Sequence, residues 1–482
     1  MSITNLTIQN GQSCFFDFPN CRGGAGIIID RSASVTLISC TLRNNRAELF
    51  HNGGAIENDN GILTLTDCTL SDNYGDGGAG AIENSGTITL TNCTLSGNST
   101  CEGAGAIENS GTITFTDCTL SGNSAENAGG AIINSGTMML THSSVGGNDA
   151  SEWAGGAIAN SGAMTLIDCT LNGNSGYIAG AIENGGTMEL TNCTLNNNQG
   201  AYGVGAIGNR GTMTLTNCTL NGNGASDFDG GAIENSGTMT LADCTLSGND
   251  AGPEGSGGGI ANAGTVTLIN CTVAGNSAQQ NGGGLENRGT ATLINTLMAN
   301  NTAYHESDYR SCAADLGCPE NCAGNSIVDA AESNLSSDET CFPAPNISIN
   351  VRLAPLGYYG GPNQMMALCT AVGIPDPLCS GASPAIDAGD DSINLTTDQR
   401  GLPRQSGRHV DVGAYEVQPQ DRVQVCIGDC NDDRQVTVNE IMTLVNIALG
   451  SAQPLACPNR VADVDISLII QAVNSALDGC SR

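Results

Sequence analysis

The sequence predicts an all-β chain: a right-handed parallel β-helix, or solenoid, with a C-terminal β-rich cap and a small α-helical EF-hand-like module. Three observations predict it. The stretch GAIENSGTITLTNCTLSGN, Gly80–Asn98, returns almost unchanged from Gly105 as GAIENSGTITFTDCTLSGN, and variants of it fill residues 1–303. The Asn that closes each A-I-E-N element recurs at Asn58, Asn84, Asn109, Asn134, Asn160, Asn184, Asn209, Asn235, Asn262 and Asn287, at spacings of 24 to 27 residues. A period of that length marks a stacked array. Within a unit, T-I-T-L-T alternates apolar and polar, C-T-L and A-I make two more short strands, Gly, Asn and Ser punctuate, and nothing has a helical period. Three short strands in a coil of about 25 residues is the arithmetic of a parallel β-helix.

Alternation assigns the faces. Ile88 and Leu90 of Thr87–Thr91 point inward and the threonines outward; Cys93, Leu95 and Ile82 point inward and Glu83 outward. Equivalent residues of successive coils stack about 4.8 Å apart, so about ten coils make a rod about 50 Å long. Nine cysteines share one inward phase: Cys40, Cys68, Cys93, Cys118, Cys169, Cys193, Cys218, Cys244 and Cys271, with Ser143 and Thr296 in the same slot. They read as a buried ladder of small apolar side chains. A zinc array is the lesser reading, because zinc needs convergent ligands and not a line. The Asn phase reads as structural, each amide serving the backbone of the next coil.

Composition restricts function. Fifteen Lys+Arg stand against 48 Asp+Glu, for a net charge of −33, and every basic residue is Arg. Such a surface repels nucleic acid and anionic membranes. No apolar run is long enough to span a bilayer. The N-terminus, MSITNLTIQNG, has the text of a repeat interior and no signal peptide, so an upstream start is expected. The cysteines outside the ladder cluster at Cys14/Cys21, Cys312/Cys318/Cys322/Cys341, Cys369/Cys379 and Cys426/Cys430/Cys457/Cys480, as disulfides of an extracellular or cell-surface protein would.

Within the coils the carboxylates and arginines give no catalytic pattern. Glu57, Glu83 and Glu108 stack in consecutive coils, with Glu183, Glu234 and Glu286 in the same phase, and read as a solvated, solubilising row. Arg210 and Arg288 sit far apart in coil number, and no Arg row is expected to face the carboxylates. Asp227 and Asp229 fall in a longer turn, which reads as a variable loop. The four His (His51, His142, His305 and His409) share no phase. Outward Thr64/Thr66, Thr89/Thr91, Thr114/Thr116 and Thr214/Thr216 have the flat T-x-T pattern of ice-binding β-helices. The row is broken by Met139, Ile167, Glu189, Ala242 and Ile269, and Thr is an ordinary strand-surface residue.

The repeat resembles the coils of bacterial surface proteins of the polymorphic outer-membrane-protein type, through Gly53-Gly54-Ala55-Ile56 and Leu95-Ser96-Gly97-Asn98. That resemblance implies fold more than function. After Asn301 the repeat is expected to stop. Residues 304–418 form a Cys-rich terminal coil or cap. Here PLGYYGGPNQ (Pro355–Gln364), SPAIDAGD (Ser383–Asp390), TDQRGLPR (Thr397–Arg404) and HVDVGAYE (His409–Glu416) resemble the choice-of-anchor type segment of secreted bacterial β-helix proteins. A solenoid end needs covering, and Asp387, Asp398, Arg400 and Asp411 are expected to form internal ion pairs.

Residues 419–482 open with the linker-like PQDRVQV. In the loop that follows, Asp429, Asn431, Asp433, Gln435, Thr437 and Glu440 occupy positions 1, 3, 5, 7, 9 and 12 of an EF-hand calcium loop. A helix with the apolar stripe Ile441, Leu444, Val445, Ala448 and Leu449 comes next, and EIMTLVNIALG (Glu440–Gly450) is echoed by LIIQAVNSALD (Leu468–Asp478). Two loop–helix units resemble the dockerin type I module, which implies calcium in each loop and a cohesin-like partner. Arg434 stands where the loop favours Gly, and the second loop around Asp463 and Asp465 is short. One Ca²⁺ is therefore expected. The sequence favours a non-enzymatic extracellular or cell-surface scaffold or adhesin-like rod, with a cohesin-like protein, a surface component or a glycan as partner. The alternative is a polysaccharide-active lyase or glycoside hydrolase carrying a dockerin-like tag. A convergent Asp/Glu cluster with Arg or His in one groove would favour that alternative.

Overall fold

A computed structural model describes residues 1–12, 26–48, 53–127, 129–152, 155–227, 229–304, 318–319, 321–324, 327–329, 333–338, 340–341, 348, 350–393, 395–422, 430, 436–448, 469 and 472–473. Two compact units make up the chain. The first is Met1–Val351, Leu356–Met366 and Asp387–Glu416; the second is Arg352–Pro355, Ala367–Ile386 and Val417–Arg482.

The first unit is a parallel β-helix with four sheets, of 13, 13, 12 and 12 strands. In the coil that begins at Thr87, the first sheet takes Thr87–Thr91, the second Thr94–Ser96, the third Ser99–Thr100 and the fourth Ile107–Asn109. The sequence led us to expect three strands per coil. The extra one is the two-residue strand after S-G-N, too short to show a period. The repeat coils pair in parallel and in step, as Thr87↔Thr112 and Ile82↔Ile107 show, and only at the end of the third sheet does Cys318–Pro319 pair antiparallel with Thr302–Ala303, among the described residues. The turns follow from local chemistry. Asn92, Asp117, Asp168, Asn192 and Asn217 adopt left-handed backbone between the first and second sheets, a conformation Asn and Asp tolerate better than other non-Gly residues. The next turn uses Gly97 or Gly122 in the same conformation, with Asp72 or Asn197 substituting.

The predicted inward residues Ile82, Ile88, Leu90, Cys93 and Leu95 are all 0 or 1 % exposed. The nine ladder cysteines are free and buried. Their sulfurs are engaged with the backbone: Cys68 Sγ donates to Thr66 O at 3.2 Å and accepts from Cys40 N at 3.4 Å. Ser143 fills the same slot and accepts from Cys118 N at 3.1 Å.

Two asparagine ladders run through the interior. One joins the A-I-E-N residues, with Asn84 Nδ2 donating to Asn109 Oδ1 at 2.7 Å and Asn109 Nδ2 to Asn134 Oδ1 at 2.7 Å. The other uses the Asn of S-G-N. Asn123 Oδ1 accepts from both Asn98 N (3.1 Å) and Asn98 Nδ2 (2.9 Å), while Asn123 Nδ2 donates to Leu95 O (3.1 Å) and Asn148 Oδ1 (3.0 Å). Each amide therefore closes a turn and ties three coils together. This ladder ends at Asn321, which accepts from Asn301 Nδ2 at 2.8 Å.

The repeat does not stop at Asn301. Cys322–Gly324, Ile327–Asp329 and Leu335–Ser336 pair in parallel with the preceding coil and add one more turn. Its text has lost the motif but keeps the backbone ladder and the Asn. Part of the segment read as a cap lies along the flank of the second sheet. Asn363 accepts from Thr194 Oγ1 (2.8 Å) and donates to Asn217 O (2.9 Å), Gln399 accepts from Thr245 Oγ1 (2.6 Å), and Asp390 N donates to Asn295 Oδ1 (2.7 Å). Thr219, Thr245 and Thr272 are buried beneath it. Of the expected ion pairs, Arg400 Nε–Asp398 Oδ2 forms at 2.8 Å with both side chains buried. Asp411 accepts Asp387 N at 2.7 Å, and Asp387 accepts His409 N at 3.2 Å, so both carboxylates hold backbone. Arg404 pairs with Asp243 of the rod.

In the second unit, Cys369–Cys379 is a disulfide and the helix Val438–Ala448 packs Leu444 against Cys430, Val436 and Ala472. Cys322–Cys341 is a disulfide of the first unit. Cys14, Cys21, Cys312, Cys426, Cys457 and Cys480 lie outside the described residues.

One surface expectation is corrected. Glu83 is not a freely solvated carboxylate: its Oε2 is buried without a hydrogen-bond partner. Burial, reinforced by Glu108 and Glu57 on the neighbouring strands, pushes its pKa up to about 8. The turn before its strand contributes to that cover, with the Ala79 N–H donating to the Glu83 carboxylate, and face assignment by alternation ignores it.

Two predictions follow from this architecture. Asn123→Ala removes one acceptor and two donors from a buried network and strands their partners, so it should destabilise the chain by about 3 kcal/mol or more. Thr89→Ala on the outward face should change stability by less than about 0.5 kcal/mol. Chemical denaturation of both variants checks the contrast. Glu83 in the folded chain keeps, up to about pH 8, a proton that the unfolded chain releases near 4.5. Stability therefore falls as pH rises through that window. Calorimetry at about pH 5 and about pH 8.5 should show the fall, and Glu83→Gln should shrink it. A remainder is expected from buried Glu416, also pushed up to about 8 by burial and Asp411.

Candidate functional site

The outward position of the fourth sheet carries the only long row of charged side chains among the described coils. Reading along the stack, it holds Glu57, Glu83 and Glu108, then Ile133 and Ala159, then Glu183, Gly208, Glu234, Ala261 and Glu286. In the second half, carboxylates alternate with Gly or Ala, so they stand two coils, about 9.6 Å, apart. The small residues leave room between them.

Two arginines reach into this strip. Each follows a ladder asparagine, where the chain turns out of the fourth sheet. Arg210 Nη1 pairs with Glu183 of the preceding coil. Arg288 Nε donates to Glu286 Oε1 at 2.9 Å, and its Nη1 to Asp229 Oδ2 at 2.5 Å. This corrects the expectation that Arg210 and Arg288 stand apart from the carboxylate row. Coil counting missed it because a guanidinium spans more than one coil spacing. The spacing of two between Glu286 on the strand and Arg288 just past its end was the available sequence signal.

Asp229, Glu234, Ala261, Asn262, Glu286 and Arg288 line a shallow pocket. Asp229, read from sequence as part of a variable loop, is fixed there, its Oδ1 accepting Ser256 N at 2.8 Å. Glu286 is 7 % exposed; its Oε1 is engaged by Arg288, and its Oε2 is buried without a hydrogen-bond partner. Burial pushes the Glu234 carboxyl above its ordinary range, against the pull of Arg210. Among the described residues no three His, Cys, Asp or Glu side chains come close enough to hold a metal ion.

The other candidates are dispersed. His142 is exposed, 3.3 Å from Asp168, and His409 Nδ1 lies 2.8 Å from Asp391. His51 and His305 lie outside the described residues. So do Asp429, Asn431, Asp433 and Gln435 of the predicted calcium loop, and Asp463 and Asp465 of the second. Thr437 and Glu440 are described and form a capping box at the start of the helix. Glu440 Oε2 accepts Thr437 N and Oγ1, both at 2.8 Å, and its Oε1 accepts Cys430 N at 2.9 Å. The carboxylate is 7 % exposed.

No described helix is long and apolar enough to cross a membrane. Comparison with curated proteins gives no match. Among solved structures, the crystal structure of pectate lyase Pel9A matches at a TM-score of 0.35 and 14% identity, over 85% of this chain and 87% of that one. A family model described as right handed beta helix region matches residues 1–151, 81–251 and 157–330. Those matches together span the coils whose four sheets and inward ladders are described above, and the chain belongs to the right-handed β-helix family.

Proposed function

We propose that this protein is a non-enzymatic, extracellular or cell-surface scaffold, an adhesin-like rod that presents the fourth sheet as a binding face and carries a calcium-dependent docking module at its C-terminal end. The observation that carries this reading is the pair of continuous buried asparagine ladders, which make the coils a stiff support with fixed outward spacing. The partners proposed are a glycan on the rod and a cohesin-like protein or cell-surface component at the dockerin-like tail. In the tail, Asp429, Asn431, Asp433, Thr437 and Glu440 would supply side-chain oxygens and Gln435 a backbone carbonyl to one Ca²⁺. Glu440 would do so from the first turn of its helix.

A second reading is favoured by one observation. Glu234 and Glu286 flank a pocket from alternate coils, at a backbone spacing of about 9.6 Å, close to the carboxyl separation of inverting glycosidases, about 6.5–9.5 Å. Under that reading the chain is a polysaccharide-active enzyme with a dockerin-like tag, and Glu234, whose carboxyl is pushed above its ordinary range by desolvation, is the acid.

A screen of the full chain against glycans and proteins, with and without EDTA, separates the two. The scaffold reading expects retained ligand without new reducing ends or unsaturated uronate products; product formation lost in Glu234→Gln establishes the enzyme. Calorimetric titration should give one Ca²⁺ per chain. Asp429→Ala should abolish that uptake and its thermal stabilisation, while Asp463→Ala changes neither.

A further inference from the structure

The pocket on the fourth sheet contains an acceptor with no donor. Glu286 is more than nine-tenths buried, and Arg288 satisfies only one of its two oxygens. A buried carboxylate oxygen left in that state calls for an N–H or O–H from a ligand. Charge narrows the choice. Asp229, Glu234 and Glu286 share the guanidinium of Arg288, while Arg210, which also acts on Glu234, is taken up by its own pair with Glu183. A neutral hydroxyl would satisfy Glu286 Oε2 and leave the excess negative charge; a cationic donor answers both. The described carboxylates do not converge enough for a metal ion. Guanidinium is a planar fork suited to two oxygens of one carboxylate, whereas a primary ammonium is a compact charge with three separately directed donors. With the fork of Arg288 already bridging Glu286 and Asp229, the acceptors that remain on alternate coils suit the ammonium.

The neighbouring ridge indicates what carries it. Tyr202 occupies, one coil earlier, the turn that holds Asp229 in the pocket's coil. It stacks on Tyr177 of the coil before, with ring centroids 4.5 Å apart, and is 52 % exposed. From the Tyr202 coil to the Glu286 coil is three coil spacings, about 14 Å. A stacked, solvent-facing aromatic pair offers an apolar platform with polar edges, which suits the C–H face of a sugar ring.

We infer that the pocket between Glu234 and Glu286 binds the protonated amino group of an amino sugar, within a short oligosaccharide that extends along the fourth sheet to the Tyr177–Tyr202 pair. This rests on the reading of that sheet as a glycan-binding face.

The test is calorimetric titration of the full chain with glucosamine tetramer, its N-acetylated counterpart and tetralysine. Glucosamine tetramer should bind about tenfold or more tightly than the acetylated form, which has the same hydroxyls and no charge. Glu286→Gln and Glu234→Gln should each weaken it by about tenfold, and Tyr202→Ala by several-fold. Glu189→Gln, which removes the same charge from the exposed face of the first sheet, should leave it unchanged. The comparison among the three ligands on the unaltered chain needs no variant to fold. Equal binding of the acetylated tetramer, equal weakening by Glu189→Gln, or tetralysine binding as strongly with the same dependence on Glu286 would each overturn the proposal. Binding of other glycans without preference for the amine would sink this proposal and leave the scaffold reading intact. Cleavage of the bound glucosamine tetramer would do the reverse.

Discussion

Everything in the rod depends on the stacking of one coil on the next, and the asparagine side chains make that stacking specific. Parallel backbone ladders alone tolerate slippage, because any residue can donate and accept. An inward amide that bonds its own ladder, the neighbouring coil's backbone and the coil beyond accepts no other alignment. Asn98, Asn123 and Asn148 illustrate it: each is buried, and each has its carbonyl and amino groups filled by residues about one coil away. Buried amides are costly when unpaired and specifying when fully paired. The chain can afford so few aromatics and so much Gly because alignment is carried by hydrogen bonds and not by large interlocking side chains.

That constraint frees the outward positions. Where the inward phase is held by Asn, Ile, Leu and Cys, the outward phase of the fourth sheet varies from Glu to Ile, Ala and Gly without disturbing the core. The alternation Glu183, Gly208, Glu234, Ala261, Glu286 is an arrangement that such a scaffold supports cheaply. The second sheet uses the same freedom differently. Its Thr and Asn positions accept a later segment of the chain through Asn363, Gln399 and Arg404, and the pairing of Arg404 with Asp243 places a charge from that segment in the turn slot the repeat ordinarily gives to Asn or Asp.

What the sequence revealed and what it hid divide along physical lines. Period and alternation are properties of single coils, so the solenoid, its inward residues and the cysteine ladder were legible. A two-residue strand has no period, so the third sheet was not. The extra turn at Cys322–Ser336 was hidden because pairing there survives without the motif. The Glu row was correctly placed outward, but the turn before its strand helps to cover Glu83, which is half-buried and not solvated. The arginine contacts were missed because alternation gives the direction of a side chain and not its reach. The lateral position of residues 387–416 depends on hydrogen bonds to coils more than a hundred residues earlier, such as Gln399 to Thr245, and no local pattern encodes them.

The pocket shows how repetition and function meet in this fold. A perfect repeat would give every coil the same outward Glu, with like charges one coil spacing apart and no space between them, as at Glu57, Glu83 and Glu108. There the cost is absorbed by protonation, which holds Glu83 neutral to about pH 8. In the later coils the repeat is broken by Gly208 and Ala261, and arginines enter at Arg210 and Arg288. The carboxylates are thereby separated and countered, with one Glu286 oxygen still unanswered. The same row of the same sheet thus presents a self-neutralised surface at one end and an open, charged one at the other. The difference comes from four substitutions that the core does not register.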